Sequence, residues 1–131
     1  MPQLRQIVLV GHCGPDAYRL KAAVNRAVPE AEIITVDDEQ RLDEYRTADH
    51  LWLVNRILDG RFATDSGIKL IRQTRVDSEP LALPEPPAMI LISDLPEAQA
   101  EAIAAGARPG FGKTEVFEDR TAEILREAAK R

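Results

Sequence analysis

The sequence predicts an α/β fold in which a five-stranded parallel sheet carries helices on both faces. Three observations predict it. Short apolar runs rich in β-branched residues, "IVLV" (7–10), "EIITV" (32–36), "HLWLV" (50–54) and "MILIS" (89–93), recur along the chain. Segments with helical spacing of apolar residues separate them. Strands that lack apolar–polar alternation belong in a sheet buried on both faces, and β-then-α order favours parallel pairing with right-handed crossovers.

The first run should be the central strand. After it, Ala17, Leu20, Val24, Ala27 and Val28 form an apolar stripe behind Pro15 and Asp16, and Pro29 ends the helix. Asp37 and Asp38 close the second strand. "EQRLDEYRTA" (39–48) predicts a short polar helix carrying Leu42 and Tyr45. The third strand is followed by the loop "NRILDGRFATD" (55–65). A third helix, "SGIKLIRQTR", buries Ile68, Leu70 and Ile71.

"SEPLALPEPPA" (78–88) is too rich in proline for a helix interior or a central strand and predicts a stiff surface connection. Beyond the fourth strand, Asp94 with Glu97 three residues on predicts a capping pair for a small-residue helix that Gly106 stops. A short fifth strand is placed near "PGFG". The terminal segment "EVFEDRTAEILREAAKR" keeps helical spacing through Val116, Phe117, Ile124, Leu125 and Ala128.

With 131 residues the chain reads as a single domain, 1–131, able to bury its own core. One cysteine excludes an internal disulfide framework, and no cysteine spacing suggests structural zinc. A net charge of -5 argues against a non-specific nucleic-acid binder. No apolar run is long enough to span a bilayer, and Met-Pro-Gln-Leu-Arg-Gln leads into the first strand without a signal-peptide pattern. A cytoplasmic location without membrane or nucleic-acid partners is therefore expected.

In open parallel sheets, ligands sit beyond the carboxyl ends of the strands. Residues 11–16, 55–65 and 93–95 should then share one pole. The stretch "MILISDLPEAQAEAIAAGARPGFGK" (89–113) resembles the second half of a two-component response-regulator receiver domain. There a buried strand ends in Ser or Thr, a small-residue helix ends in Gly-Ala, and a lysine follows the fifth strand. The order of elements extends the likeness over essentially the whole chain, within the flavodoxin-like group of folds.

The resemblance implies a remnant site. Receivers hold Mg²⁺ with an acidic pair after the first strand and an Asp ending the third; that Asp takes a phosphoryl group, and the hydroxyl and lysine stabilise its charge. The matching positions are His12 and Cys13 for the acidic pair, Asn55 for the acceptor, Ser93 for the hydroxyl and Lys113 for the lysine. Three carboxylates are gone. A neutral amide does not form an acyl phosphate, and imidazole and thiol are poor ligands for Mg²⁺. The resemblance thus implies a degenerate, non-enzymatic receiver without a metal or other cofactor, signalling through a protein partner or a homodimer. The family commonly docks partners on its last helix and fifth strand. The small residues at 98, 100, 102, 104 and 105 make a helix surface that another helix could approach. The aromatic position departs from the family, since an ungapped match puts Gly110 there and Phe111 one residue off.

Two other readings stay open. Asp59 or Asp65, the acids of the extended loop after the third strand, could serve as a displaced phospho-acceptor. His12 and Cys13 could form a thiol enzyme or, with Asp16 and Asp38, a metal site. Adjacent residues leaving a strand point to opposite sides, however. His50 starts the third strand whereas His12 ends the first, which separates them by a sheet about 17–20 Å long. Gly11 and Gly14 do not make a dinucleotide fingerprint, and "RPGFGKT" lacks phosphate-loop spacing.

Overall fold

The computed structural model describes residues 3–78 and 85–131. Five parallel strands, β1 (Gln6–Val10), β2 (Ile33–Val36), β3 (His50–Asn55), β4 (Ala88–Ile92) and β5 (Arg108–Phe111), form one sheet in the order β2-β1-β3-β4-β5. Five α-helices join them: α1 (Gly14–Ala27), α2 (Glu39–Leu42), α3 (Gly67–Ser78), α4 (Pro96–Ala105) and α5 (Asp119–Ala129). Of the proline-rich connection, residues 79–84 lie outside the described residues. Among the described residues no helix is long and apolar enough to cross a membrane.

The central strands are apolar throughout because each face has its own core. Ile7 and Leu9 pair with Leu51 and Leu53, and these side chains pack under α1 and α5 against Leu20, Val24 and Leu125. The alternate residues Val8, Val10, Trp52 and Val54 point the other way, toward Leu42 of α2 and Ile68, Ile71 and Ala102 of α3 and α4. Period-two alternation thus divides the same strands between two buried layers.

Local chemistry sets the ends of the elements. Pro15 lies in the first turn of α1, where a missing N–H is harmless. Gly106 closes α4 in the left-handed conformation (φ 119°), as its position predicts. Gly110 lets β5 pass close to β4, since a Cβ there would lie 2.3 Å from the Leu91 carbonyl oxygen.

Three expectations are corrected. The helix expected over 39–48 is a single turn, capped by Asp38 Oδ1 at the amides of Gln40 (2.7 Å) and Arg41 (3.3 Å), followed by a 3₁₀ turn at Asp43–Tyr45. Within 39–45 only Leu42 is fully buried in the core below, Tyr45 is partly buried against it, and the Trp52 indole N–H donates to the Tyr45 carbonyl (2.9 Å). Too little apolar surface faces the sheet to sustain a longer helix.

The last helix begins at Asp119, not near residue 115. A 3₁₀ turn at Lys113–Glu115 comes first, Val116 is buried in the core, and Phe117 is exposed beneath the Arg19 guanidinium. Asp94 does not cap α4, whose N-cap is Leu95 without a side-chain bond. Asp94 instead accepts from the amide and hydroxyl of Thr114 (3.3 and 2.7 Å), tying the β4–α4 loop to the turn after β5.

Gly67 sets the distance between β3 and α3. Its N–H donates to the Arg56 carbonyl (2.8 Å), and a Cβ would lie 2.0 Å from the Asn55 carbonyl oxygen. Gly67→Ala is expected to destabilise the protein by about 2 kcal/mol, because backbone must move to relieve the overlap. Urea denaturation reads this directly; an unchanged midpoint would show that α3 backs away freely.

Candidate functional site

The loops after β1, β3, β4 and β5 converge at the carboxyl pole of the sheet, and the centre of that convergence is the backbone of Gly11. Gly11 has φ +72°, a conformation that places its carbonyl where two donors reach it. Asn55 Nδ2 donates to it at 3.0 Å and the Asp59 amide at 2.9 Å. Leu58 is buried directly against Gly11, whose added Cβ would come within 2.7 Å of Leu58 Cδ2.

The extended loop after β3 is therefore a plug. Ile57 and Ser66 form an antiparallel bridge across its base, and Leu58 N–H donates to the Asp65 carbonyl (2.8 Å). Its tip reaches the end of β2: the Arg61 amide donates to Asp37 O (2.7 Å) and Glu39 N–H to Arg61 O (2.9 Å). Asp59 and Asp65 serve this loop through their backbone, and both side chains are exposed.

His12 is 5% exposed and its Nε2–H donates to the Leu53 carbonyl at 2.8 Å. Nδ1 is then the unprotonated nitrogen, buried and without a protein partner among the described residues. Burial pushes the imidazole pKa down to about 4; the Lys113 cation lowers it further, while the Leu53 bond and the Asp16 charge oppose the shift. The space beside the ring, between Asp16, Leu20, Ile92 and Lys113, is about 10 Å³, room for one water and no more.

Cys13 is half-buried at the N-cap of α1, and among the described residues no hydrogen bond joins it to His12. Lys113 Nζ instead meets Asp16 Oδ2 at 2.8 Å, across the mouth between α1 and the turn after β5. That bond, and secondarily the Cys13 thiol, hold the Asp16 carboxyl below the usual carboxylate range against the opposing effect of burial. Both partners are partly solvated, at 38% and 26% side-chain exposure, so the pair contributes about 1 kcal/mol or less.

Ser93 is buried and its Oγ accepts from the Leu95 amide at 3.2 Å, a strand-end turn. Next to it Gln99 Nε2 spans the carbonyls of Leu91, Ser93 and Phe111, lacing β4 to β5. A surface hollow of about 310 Å³ brings together Asn55, Arg56, Ser93, Asp94 and Lys113, with the exposed Ile57 and Leu95 on its rim. Neither Asp59 nor Asp65 lines it.

The matched positions Asn55, Ser93 and Lys113 are thus gathered around one hollow, and His12 abuts the same lysine from below. His50 lies at the far end, paired with Gln6 at the start of β1 and bonded to Thr47 Oγ1 (3.0 Å). Asp38 is occupied as the cap of α2. Among the described residues no three His, Cys, Asp or Glu side chains are grouped closely enough to hold a metal.

Three participants were not legible as such. In sequence Asp16 reads only as a candidate metal ligand, whereas its place in the first turn of α1 aims it at the pole where Lys113 emerges. Arg56 and Leu58 carry no motif; their roles follow from how the loop folds back.

This chain has the fold of receiver domains. The signal receiver domain of a DNA-binding response regulator from Colwellia psychrerythraea superposes with a TM-score of 0.67 at 14% identity, over 94% of this chain and 96% of that one. A response-regulator receiver domain from Rhodospirillum rubrum gives 0.60 at 17% identity, covering 95% and 90%. A putative response regulator from Chloroflexus aurantiacus gives 0.59 at 17% identity, covering 94% and 98%. No protein-family model matches the sequence, and no curated protein matches it.

Proposed function

We propose that the protein is a degenerate receiver: a non-enzymatic signalling module that works through protein–protein contact without Mg²⁺-dependent aspartyl phosphorylation. The observation that carries this reading is Asn55. It stands where the resemblance puts the phospho-acceptor, is buried, and donates its amide N–H to Gly11 O at 3.0 Å. A donor in that role cannot be exchanged for an ionised carboxylate without opposing a carbonyl oxygen. The lysine of the remnant site is meanwhile neutralised by Asp16.

The reading extends to the output. Leu95 at the N-cap of α4 and Ile103 on it are exposed at 45% and 46%, with Ala100 and Ala104 exposed nearby, whereas Ala98, Ala102 and Ala105 of the expected small-residue surface are buried in the protein's own core. A partner protein, or a second copy of the chain, is the proposed ligand of that surface.

Intact-mass spectrometry after incubation with acetyl phosphate, with and without Mg²⁺, tests the central claim. No Mg²⁺-dependent phosphoryl adduct is expected. An adduct that maps to Asp59 or Asp65 would sink the proposal in favour of a displaced acceptor.

A further inference from the structure

At the amino pole of the sheet, opposite the remnant site, a cavity of about 460 Å³ opens between the residues that precede β3 and those that begin β4 and β5. Its floor is apolar, formed by Ala48, Pro87, Ala88 and Met89, all buried. Among the described residues its walls carry the guanidinium groups of Arg5, Arg75 and Arg108 and the carboxylate of Glu85. In a chain with a net charge of -5, this is a local concentration of positive charge in a concave site.

Arg5 and Arg108 keep donors that the fold does not use among the described residues. Arg5 donates Nε to Ala48 O (3.0 Å) and Nη1 to the carbonyls of Ala128 (2.9 Å) and Lys130 at the end of α5, which leaves Nη2 without a partner among the described residues. Three carbonyls therefore fix the orientation of its guanidinium. Arg108 is exposed at the start of β5, and its side chain forms no hydrogen bond or ion pair among the described residues. Burial, then the neighbouring charges of Arg108 and Arg131, lower the pKa of Arg5, with Glu85 opposing.

We propose that this cavity binds a small phosphorylated organic molecule of nucleoside-phosphate size, its phosphates on Arg5 and Arg108 and its apolar body on the floor. The guanidinium fork matches phosphate oxygens in pairs, and an orientation already fixed by the fold reduces the entropy lost on binding. The cavity volume falls within the range of small-molecule sites. Inorganic phosphate alone would leave the Pro87–Met89 floor uncovered.

Isothermal titration of the full chain with ADP in the absence of Mg²⁺ tests the assignment. Saturable binding that weakens as salt rises is expected, with inorganic pyrophosphate binding less tightly. Arg108→Glu should raise the Kd about ten-fold or more, whereas Lys113→Ala, at the other pole, should leave it unchanged. Because Arg108 is exposed, circular dichroism should show its variant folded. In the amide NMR spectrum of the unmodified protein, shifts should centre on Met89 and Gly106. No saturable ADP binding up to about 1 mM would overturn the proposal. So would a Kd that responds to Lys113→Ala and not to Arg108→Glu, or pyrophosphate binding as tightly as ADP.

Discussion

Asn55→Asp, the substitution that restores the acceptor carboxylate, is expected to destabilise the protein by about 3 kcal/mol at neutral pH and to leave it unable to take up a phosphoryl group. Position 55 is 7% exposed, and its side-chain nitrogen now donates to Gly11 O. An ionised carboxylate there would set a negative oxygen against a carbonyl oxygen, so the new acid would hold its proton to a higher pH. The cost therefore begins as pH rises past the ordinary carboxylate range, where the unfolded chain ionises, and is complete above that raised value. Asn55→Ala should lose only about 1 kcal/mol, because Gly11 O keeps the Asp59 amide as a donor. Urea denaturation of both variants, beside acetyl phosphate labelling of Asn55→Asp, checks the argument. Wild-type stability in Asn55→Asp, or a phosphoryl adduct on it, would show that the plug over Gly11 is incidental.

Acid should weaken the fold through His12. Its folded-state pKa, about 4, lies below its ordinary value of 6.5, so the unfolded chain binds the proton first. The stabilisation from the neutral, buried ring is complete above pH 6.5, falls as pH drops through that value, and is gone near the folded value of about 4. Linkage puts the loss at about 2 kcal/mol between pH 7 and pH 5, approaching about 3 kcal/mol near pH 4. His50 is lowered in the same sense, chiefly by burial, so wild type alone does not isolate the effect. His12→Gln, which keeps a donor toward Leu53 O and cannot titrate, should show a drop smaller by roughly that amount between pH 7 and 5. Identical pH dependence in the two proteins would mean that the imidazole accepts its proton in the folded state at little cost.

The candidate site was legible to different depths at different residues. Asn55, Ser93 and Lys113 could be aligned because strand ends are marked by the switch from apolar run to polar residue. Local spacing predicts a capping pair of Asp94 with Glu97, whereas the hydroxyl and amide of Thr114, twenty residues on, take the carboxylate. A local pattern cannot register a competitor supplied by another loop. The segment 39–48 departs for the complementary reason: its pattern is helical, but within 39–45 only Leu42 is fully buried, with Tyr45 partly packed against the same core.

What the sequence by itself determined is the layout: four apolar runs with helical segments between them and a short strand near "PGFG", the order of β and α, and the absence of carboxylates at positions 12, 13 and 55. These are properties of periodicity and residue type, which act over a few residues and need no partner. Only the tertiary structure decided that the loop after β3 folds back to bury Leu58 on Gly11, that Asp16 takes Lys113, and that Arg5 and Arg108 meet across an apolar floor at the other pole. Each of these joins residues far apart in the chain, and each depends on which donor or charge reaches a given atom first. That competition is settled by packing, where burial removes water as the alternative partner and leaves one arrangement that satisfies the groups enclosed.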